Sequence, residues 1–314
     1  MKTLTVTKNL FTASLALLFC QVLNAQTAQP PAPDKIGLTF STESTCTGEA
    51  RLKGGDTSFK DVQVNNSSWS LGQNIGLDNS STLAVNVAYN RTSINEGNYH
   101  HFERDYGADR VPLPNDLQSL GASLEYSAKI NSEWSFSTSV GAGSHVAKHD
   151  LLSKGWGAEG HAMGLYTYGP DLTFAVGLAY DSLSEDWKCI PIVGFEWRPA
   201  EKWSVAIGFP KTAVTYELSK SLTMSLAASG AGGTYYIRDD PRPGTSPRSL
   251  ADSKLEYTEV RLGFETAWKI NNNFSLSGSV GSVLHREFKY IDRDYKLTSR
   301  DIAPFLSIAF SASL

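Results

Sequence analysis

Several segments of this sequence contain a row of polar or small residues at every second position, and charged side chains recur within these rows. Glu265 and Lys269 share one such row, and Glu125 and Lys129 share another with the same four-residue spacing. Residues of that period fall on one face of a β-strand. The residues assigned to this face are Glu125, Lys129, Glu196, Arg198, Glu217, Glu259, Arg261, Glu265 and Lys269, and His285 and Glu287 are expected to continue it.

Two functions suit a face of mixed charge. Charges of both signs could line a water-filled path, where rings of charge set the selectivity of a pore. They could equally pair across neighbouring strands and brace a filled interior. Both alternatives stay open at the level of sequence, and neutralising Arg261 or Glu265 is expected to shift ion selectivity only in the first.

Hydrolytic chemistry would need a nucleophile, a base and an orienting group within hydrogen-bond reach. Ser144 and His145 are adjacent, so on a strand they point to opposite faces. The other candidates are His149 with Asp150, His161 with Glu159, and His100 with His101, and a metal site would draw on His145, His149 and Asp150. No spacing among them is typical of catalysis or of metal binding. We therefore predict no catalytic, cofactor-binding or metal-binding residues, no cofactor and no enzymatic activity.

The elements that position the charged row are best seen in residues 255–288 (LEYTEVRLGFETAWKINNNFSLSGSVGSVLHREF). Apolar and polar residues alternate for ten or more positions on each side of a short turn at 271–273. Strands of soluble sandwiches usually run about 5–6 residues. Alternation this long, repeated on both sides of a tight turn, favours a hairpin of a transmembrane β-barrel.

The same alternation recurs along the chain and predicts an all-β, antiparallel, up-and-down barrel of fourteen strands, with twelve as the alternative. The least regular segments are 203–209 and 212–218, which are shorter than the roughly 9–11 residues that a tilted strand needs to cross a membrane. Tight turns alternate with long charged loops at 98–116, 239–253 and 289–300. Outer-membrane barrels show this asymmetry, with short periplasmic turns and longer external loops.

Aromatic residues cluster beside the predicted short turns. Interfacial girdles of outer-membrane barrels place amphipathic rings at one depth in this way. The predicted girdle consists of Trp134, Trp197, Trp203, Trp268 and Phe274. This clustering favours a membrane barrel over a soluble β-protein, in which tryptophans would be scattered.

The N-terminal segment predicts export. Residues 1–25 combine two lysines, an apolar run of eleven and a small residue at Ala25, which is typical of a secretory signal peptide. Residues 26–34 (QTAQPPAPD) read as a flexible linker, and residues 35–314 as the barrel. Without Lys2 and Lys8, the 28 basic residues fall to 26 against 32 acidic ones, a formal charge of −6. This balance favours no nucleic-acid partner.

Residues 36–314 resemble a family of bacterial outer-membrane barrels described only as a domain of unknown function. The segments that carry the resemblance are 203–216 (WSVAIGFPKTAVTY) and 281–290 (GSVLHREFKY). The resemblance implies the fold and the outer-membrane location and no activity. The alternating final strand, with Phe310, adds the barrel assembly machinery to the expected partners, although the chain ends in Leu314 and not in an aromatic residue.

The sequence thus predicts an outer-membrane, porin-like barrel, a passive pore or transport protein with a polar, charged lumen. Its expected partners are outer-membrane lipid and small solutes. The alternative is a closed structural or surface-interaction barrel that acts through its external loops, including 239–253. A hydrolase at the rim, which would lose activity in His145→Ala and keep it in His285→Ala, is the third hypothesis.

Overall fold

The structure is a computed structural model that describes residues 37–54, 57–95, 98–101, 113–147, 151–185, 188–208, 211–238, 252–293 and 295–314. The predicted signal peptide, the predicted linker and most of the loop 239–253 lie outside the described residues.

Seventeen strands occur in the described part of the chain, and fourteen of them form the barrel wall. The wall strands are β1 (Gly37–Thr47), β3 (Thr57–Gly76), β4 (Ser81–Asn95), β6 (Asp116–Lys129), β7 (Trp134–Ala147), β8 (Trp156–Tyr168), β9 (Leu172–Asp181), β10 (Cys189–Ala200), β11 (Trp203–Gly208), β12 (Lys211–Ser219), β13 (Leu222–Ile237), β14 (Ser253–Lys269), β15 (Phe274–Tyr290) and β17 (Ala303–Ser313). The other three are short: β2 (Ala50–Gly54), β5 (Asn98–His101) and β16 (Tyr295–Ser299), which follows a 3₁₀ turn at Ile291–Arg293.

No helix among the described residues is long and apolar enough to cross a membrane.

The wall closes because β1 pairs with β3 on one side and with β17 on the other. Each of the fourteen neighbouring wall pairs is antiparallel. The fourteen-strand prediction is confirmed, and β11 and β12 are both wall strands despite their short length. Tight turns such as 130–133 and 271–273 lie at one end of the barrel with Gly37 and Leu314, and we call the opposite end the external end.

The outer surface of the wall is apolar. Val193 is 67% exposed, Leu226 57% and Val280 56%, while their strand neighbours on the other face are small or polar. Trp156 and Tyr166 lie ten residues apart on β8 and on the same face. At about 3.3 Å per residue and a tilt of about 40°, that spacing covers about 25 Å along the barrel axis, the height of the apolar band of outer-membrane barrels. The wall therefore matches a lipid bilayer and not water.

A charge on this outer surface should be costly. We expect Val176→Arg, at an exposed position in the middle of β9, to lower the free energy of unfolding in lipid vesicles by about 2–4 kcal/mol. Urea titration followed by tryptophan fluorescence measures the loss. The control is Ser277→Arg on the inner face of β15, where the arginine stays in water. Equal effects of the two substitutions would contradict the assignment of the outer face to lipid.

The external half of the barrel is filled by an apolar core. The side chains of this external core come from β2, β3, β4, β6, β13, β14, β15 and β16, and almost all of them are fully buried. Its members include Leu52, Phe59, Val62, Val64, Ile94, Leu113, Leu117, Tyr235, Ile237, Leu255, Tyr257, Phe288, Tyr290 and Leu297. The short strands β2 and β16 extend the sheet around this core.

One hairpin leaves the wall and crosses the barrel at the level of the external core. We call residues 233–237 of β13 and 253–257 of β14 the strap. The end of β13 pairs in parallel with β7, Tyr236 opposite Val146 and Ile237 opposite Ala147. Both faces of the strap are buried, with Tyr235 at 3% and Thr234 at 3% exposure, whereas a wall strand would expose one face to lipid.

Gly232 marks the point where the strap leaves the wall. Its φ is +139°, a value that L-residues with a side chain rarely adopt. A Cβ atom there would also collide with the carbonyl oxygen of Tyr257 on β14. Gly232 therefore turns β13 inwards.

Candidate functional site

The inner face of the half nearer the short turns is lined by small hydroxyl side chains. They hydrogen-bond to one another across neighbouring strands: Ser41 Oγ to Ser70 Oγ at 2.6 Å, Ser275 Oγ to Ser311 Oγ at 2.5 Å, and Thr215 Oγ1 to Ser225 Oγ at 2.9 Å. Such short side chains stay close to the wall. Hydroxyl groups and glycines therefore border much of the lumen in this half without filling it. The exception is β8–β10, where Met163, Ala175, Ala179 and Ile192 form a buried apolar cluster.

Three of the sequence-predicted charges take part in two ion pairs that the alternation alone did not specify. Lys211 Nζ lies 2.5 Å from Glu265 Oε2, from a strand two positions along the wall. Arg198 Nε lies 3.0 Å from Glu196 Oε1, two residues away on β10. Lys129, Glu217 and Lys269 are exposed at the short-turn end. The short distance between Lys211 and Glu265 shows that Lys211 balances the charge of Glu265. Lys211 was not among the residues predicted for the inner row.

A fully buried charge network lies directly below the external core. Arg286 Nε donates to Glu259 Oε1 at 2.6 Å, and Arg286 Nη2 donates to Thr47 Oγ1 at 2.7 Å. Arg261 Nε donates to the second oxygen, Glu259 Oε2, at 2.8 Å. Arg286 and Glu259 are both 0% exposed. One carboxylate is thus shared by two guanidinium groups, each with hydrogen bonds that offset the loss of hydration.

A β-bulge explains why the sequence reading missed Arg286. Val260 pairs with His285 and Arg261 with Val283, so Leu284 is an extra residue in β15. Residues directly opposite each other share a face. His285 therefore lies on the outer face with Val260, and Arg286 lies on the inner face opposite Glu259. The expected continuation of the inner row through His285 and Glu287 is wrong, because the bulge exchanges the two faces beyond it.

The ion pair of Glu287 agrees with this exchange of faces, although Glu287 itself is only 9% exposed. It lies 3.5 Å from Lys296, whose side chain is 64% exposed on the outer surface of β16. Its neighbour Phe288 is fully buried in the external core.

The inner face of β6, β7 and β8 carries a chain of hydrogen bonds. His161 Nδ1 lies 2.6 Å from Ser139 Oγ, and Ser137 Oγ donates to Glu125 Oε1 at 3.1 Å. Among the described residues no basic side chain forms an ion pair with Glu125 or with Glu159. This side of the lumen therefore differs from the β12–β15 side, where Glu259 and Glu265 each have a basic partner.

Of the hydrolase candidates, Ser144 and His145 lie within the described residues and do not form a nucleophile–base pair. Ser144 is fully buried, donates to the carbonyl of Lys154 and accepts from the N–H of Leu152, so its hydroxyl is occupied by the loop. His145 points away from it and packs at 6.3 Å on the ring of Tyr235. His149, Asp150 and the side chains of His100 and His101 lie outside the described residues. Within the described ranges no group of three His, Cys, Asp or Glu residues could hold a metal ion.

The aromatic residues predicted for the girdle all lie on the outer face near the short turns, between 36% and 48% exposed. Three of them pack against an aromatic neighbour across the strand pair: Trp134 against Tyr166, Trp203 against Tyr216, and Phe274 in a stacked arrangement with Phe310. The interfacial girdle stays a prediction, and outward-facing rings at one end of the barrel are what it requires.

A polar clasp holds the strap at the external rim. Lys154 Nζ lies 3.0 Å from Asp252 Oδ1 and 3.2 Å from the Tyr236 hydroxyl, which itself donates to Asp252. Hydrogen bonds from Tyr236 and Lys154 hold the pKa of Asp252 below its ordinary value, and the bond to Asp252 raises the pKa of Lys154. Both shifts favour the charged pair. It persists at neutral pH and is lost as the pH falls through the lowered pKa of Asp252.

Comparison with known proteins identifies the family. The family model described as "Domain of unknown function (DUF6268)" matches residues 27–313. The chain belongs to this family. The match confirms the resemblance, predicted from residues 203–216 and 281–290, to a domain family of unknown function, and the fold is a closed fourteen-strand β-barrel. No curated protein matches the sequence.

Several solved structures are similar to this chain over most of their length. An outer membrane channel from Pseudomonas putida F1 is 12% identical, with a TM-score of 0.45 over 91% of this chain and 99% of that one. A FadL homologue from Pseudomonas aeruginosa is 9% identical, with a TM-score of 0.47 over 89% and 90%. The KdgM porin is 10% identical, with a TM-score of 0.35 over 87% and 99%.

Proposed function

We propose that this DUF6268 barrel is a passive conduit for small solutes across the outer membrane. The observation that carries the proposal is the lining of the half nearer the short turns, where hydroxyl groups, glycines and charges of both signs border the lumen. Barrels of eight strands are just filled by their inward side chains, and those of 16–18 strands hold an aqueous channel. A fourteen-strand barrel with so many small inward side chains has room for water.

The pair Glu265–Lys211 offers the sharpest test. Both side chains are about a third or less exposed and lie on the lumen side. Glu265→Gln leaves Lys211 uncompensated, so the lumen gains one net positive charge and the preference should move towards anions. The measurement is the reversal potential of single channels under a KCl gradient.

Glu287→Gln is the matched control, because it makes the same chemical change on the outer face. It should leave the reversal potential where it is in the wild type. If the channel is open and its reversal potential is the same in Glu265→Gln as in the wild type, Glu265 does not line the ion pathway.

The external core supports a second candidate, a closed barrel that acts through its external loops. The core and the strap occupy the external half with fully buried side chains, as in a folded domain. A barrel of this kind would insert and fold without conducting ions, and the same bilayer recording distinguishes the two.

A further inference from the structure

A small cavity lies against the inner face of β4, β6, β7 and β8. Its volume is about 30 Å³, close to that of one water molecule or one ammonium group. The polar side chains in its lining are Asn90, Ser119, Ser123, His145 and Glu159, and the rest are alanine and glycine. The lining thus mixes a carboxylate, an imidazole, an amide and hydroxyl groups around a single small space.

Two of these side chains have no polar partner in the part of the chain that the structure describes. The Glu159 carboxylate and the His145 imidazole make no hydrogen bond or ion pair there, although both border the cavity. The Asn90 amide donates to Ser119 Oγ at 3.2 Å, which leaves its carbonyl oxygen out of that bond. The cavity is therefore bordered by one carboxylate and by several groups that can accept a hydrogen bond.

The strand register adds a second observation. Glu159 pairs directly with Asp181 on β9, so two carboxylates stand opposite each other on the inner face. Like charges directly opposite are destabilising unless a counter-charge lies near them. On the β12–β15 side of the lumen that counter-charge is a basic side chain, as with Glu265 and Lys211. Lys254 lies near enough to Asp181 to act on its charge. Glu159 has no basic partner among the described residues and borders the cavity instead.

We infer that this cavity binds the ammonium group of a small organic amine, an inference that rests on the proposed transport function and names its class of solute. An alkylammonium group has three N–H donors and no acceptor, which matches acceptors from Glu159, Asn90 and His145. Its positive charge offsets the Glu159–Asp181 pair. The alkyl chain extends from the cavity into the lumen.

Titration calorimetry of the folded barrel in detergent tests the inference without any need for conduction. The probes are putrescine, the diol of equal chain length and succinate. We expect saturable heat with putrescine alone. Glu159→Gln should weaken that binding by at least about tenfold, since it removes a charge-assisted hydrogen bond and the charge itself. Glu287→Gln on the outer face should bind putrescine as the wild type does.

Two further variants keep the result interpretable. His145→Ala and Asp181→Asn should each weaken putrescine binding, and heat-modifiable mobility on gels reports whether every variant is folded. Absence of saturable heat in the folded wild type, equal binding of the diol, or unchanged binding in folded Glu159→Gln would overturn the inference. Putrescine binding without conductance in a bilayer would support the binding site and contradict the transport proposal. Conductance without putrescine binding would support the transport proposal and contradict the binding site.

Discussion

Glu259→Gln should be among the most destabilising single substitutions in this protein. The carboxylate is fully buried and is shared by Arg286 and Arg261. Neutralising it leaves two guanidinium groups buried without a counter-charge, and breaking a buried pair in this way costs about 3–5 kcal/mol. The glutamine side chain has nearly the same shape as glutamate, so the decrease in the free energy of unfolding comes from the lost charge and not from altered packing. Urea unfolding in lipid vesicles, followed by tryptophan fluorescence, measures it.

The natural control is a similar pair in an exposed place. Arg198 and Glu196 lie 3.0 Å apart, with the arginine side chain 57% exposed. Exposed pairs contribute about 0–1 kcal/mol, so Glu196→Gln should change the free energy of unfolding by no more than that. If Glu259→Gln were as mild as Glu196→Gln, the network below the external core would not be the buried, dry arrangement described above.

Phe288→Ala should produce a loss of similar size by a different mechanism. Its ring is fully buried in the external core and stacks on Tyr257, with the ring centres 4.9 Å apart. Removing a buried aromatic ring loses its transfer free energy and leaves a cavity, together about 3–5 kcal/mol. The same urea titration measures the change.

Leu306→Ala is the comparison for Phe288→Ala. Leu306 is 54% exposed on the outer face of β17, where lipid tails can fill the space that the shorter side chain leaves. Leu306→Ala should therefore lower the free energy of unfolding much less than Phe288→Ala does. A loss below about 1 kcal/mol for Phe288→Ala would contradict a packed core in the external half, because a truncated core ring ordinarily costs several times as much.

Much of the wall could be predicted from alternation alone. The period-two rows of residues 255–288 and of β6 and β7 fix which face meets lipid, because one face is apolar over the full height of the membrane. Tight turns such as 131–133 and 271–273 mark where one alternating segment ends and the next begins, so the segments can be counted. Each of the fourteen predicted segments forms a strand of the wall.

The features that the sequence did not predict all break that period. Leu284 shifts β15 by one residue, and Arg286 replaces His285 on the inner face. Gly232 sends the end of β13 across the barrel, where both of its faces are buried. Neither event changes the local alternation of apolar and polar residues enough to be read from it. Each depends on a partner far along the chain, Glu259 for Arg286 and β7 for the strap.

The pairing of charges was beyond the sequence for the same reason. Alternation places Glu265 on the inner face without saying that Lys211, two strands away, reaches it. Glu159 and Asp181 were not assigned to the inner row, and the register shows that they are directly opposite each other. Distances between strands are set by closure of the barrel, which no local pattern contains.

The measurement that tests the account most directly is the conductance of the purified, heat-modifiable protein in a planar lipid bilayer. The account predicts discrete current steps, with a reversal potential that moves towards anions in Glu265→Gln and stays unchanged in Glu287→Gln. A folded and inserted barrel that passes no current under any of these conditions would contradict the conduit, and the external loops would then be the place to look for function.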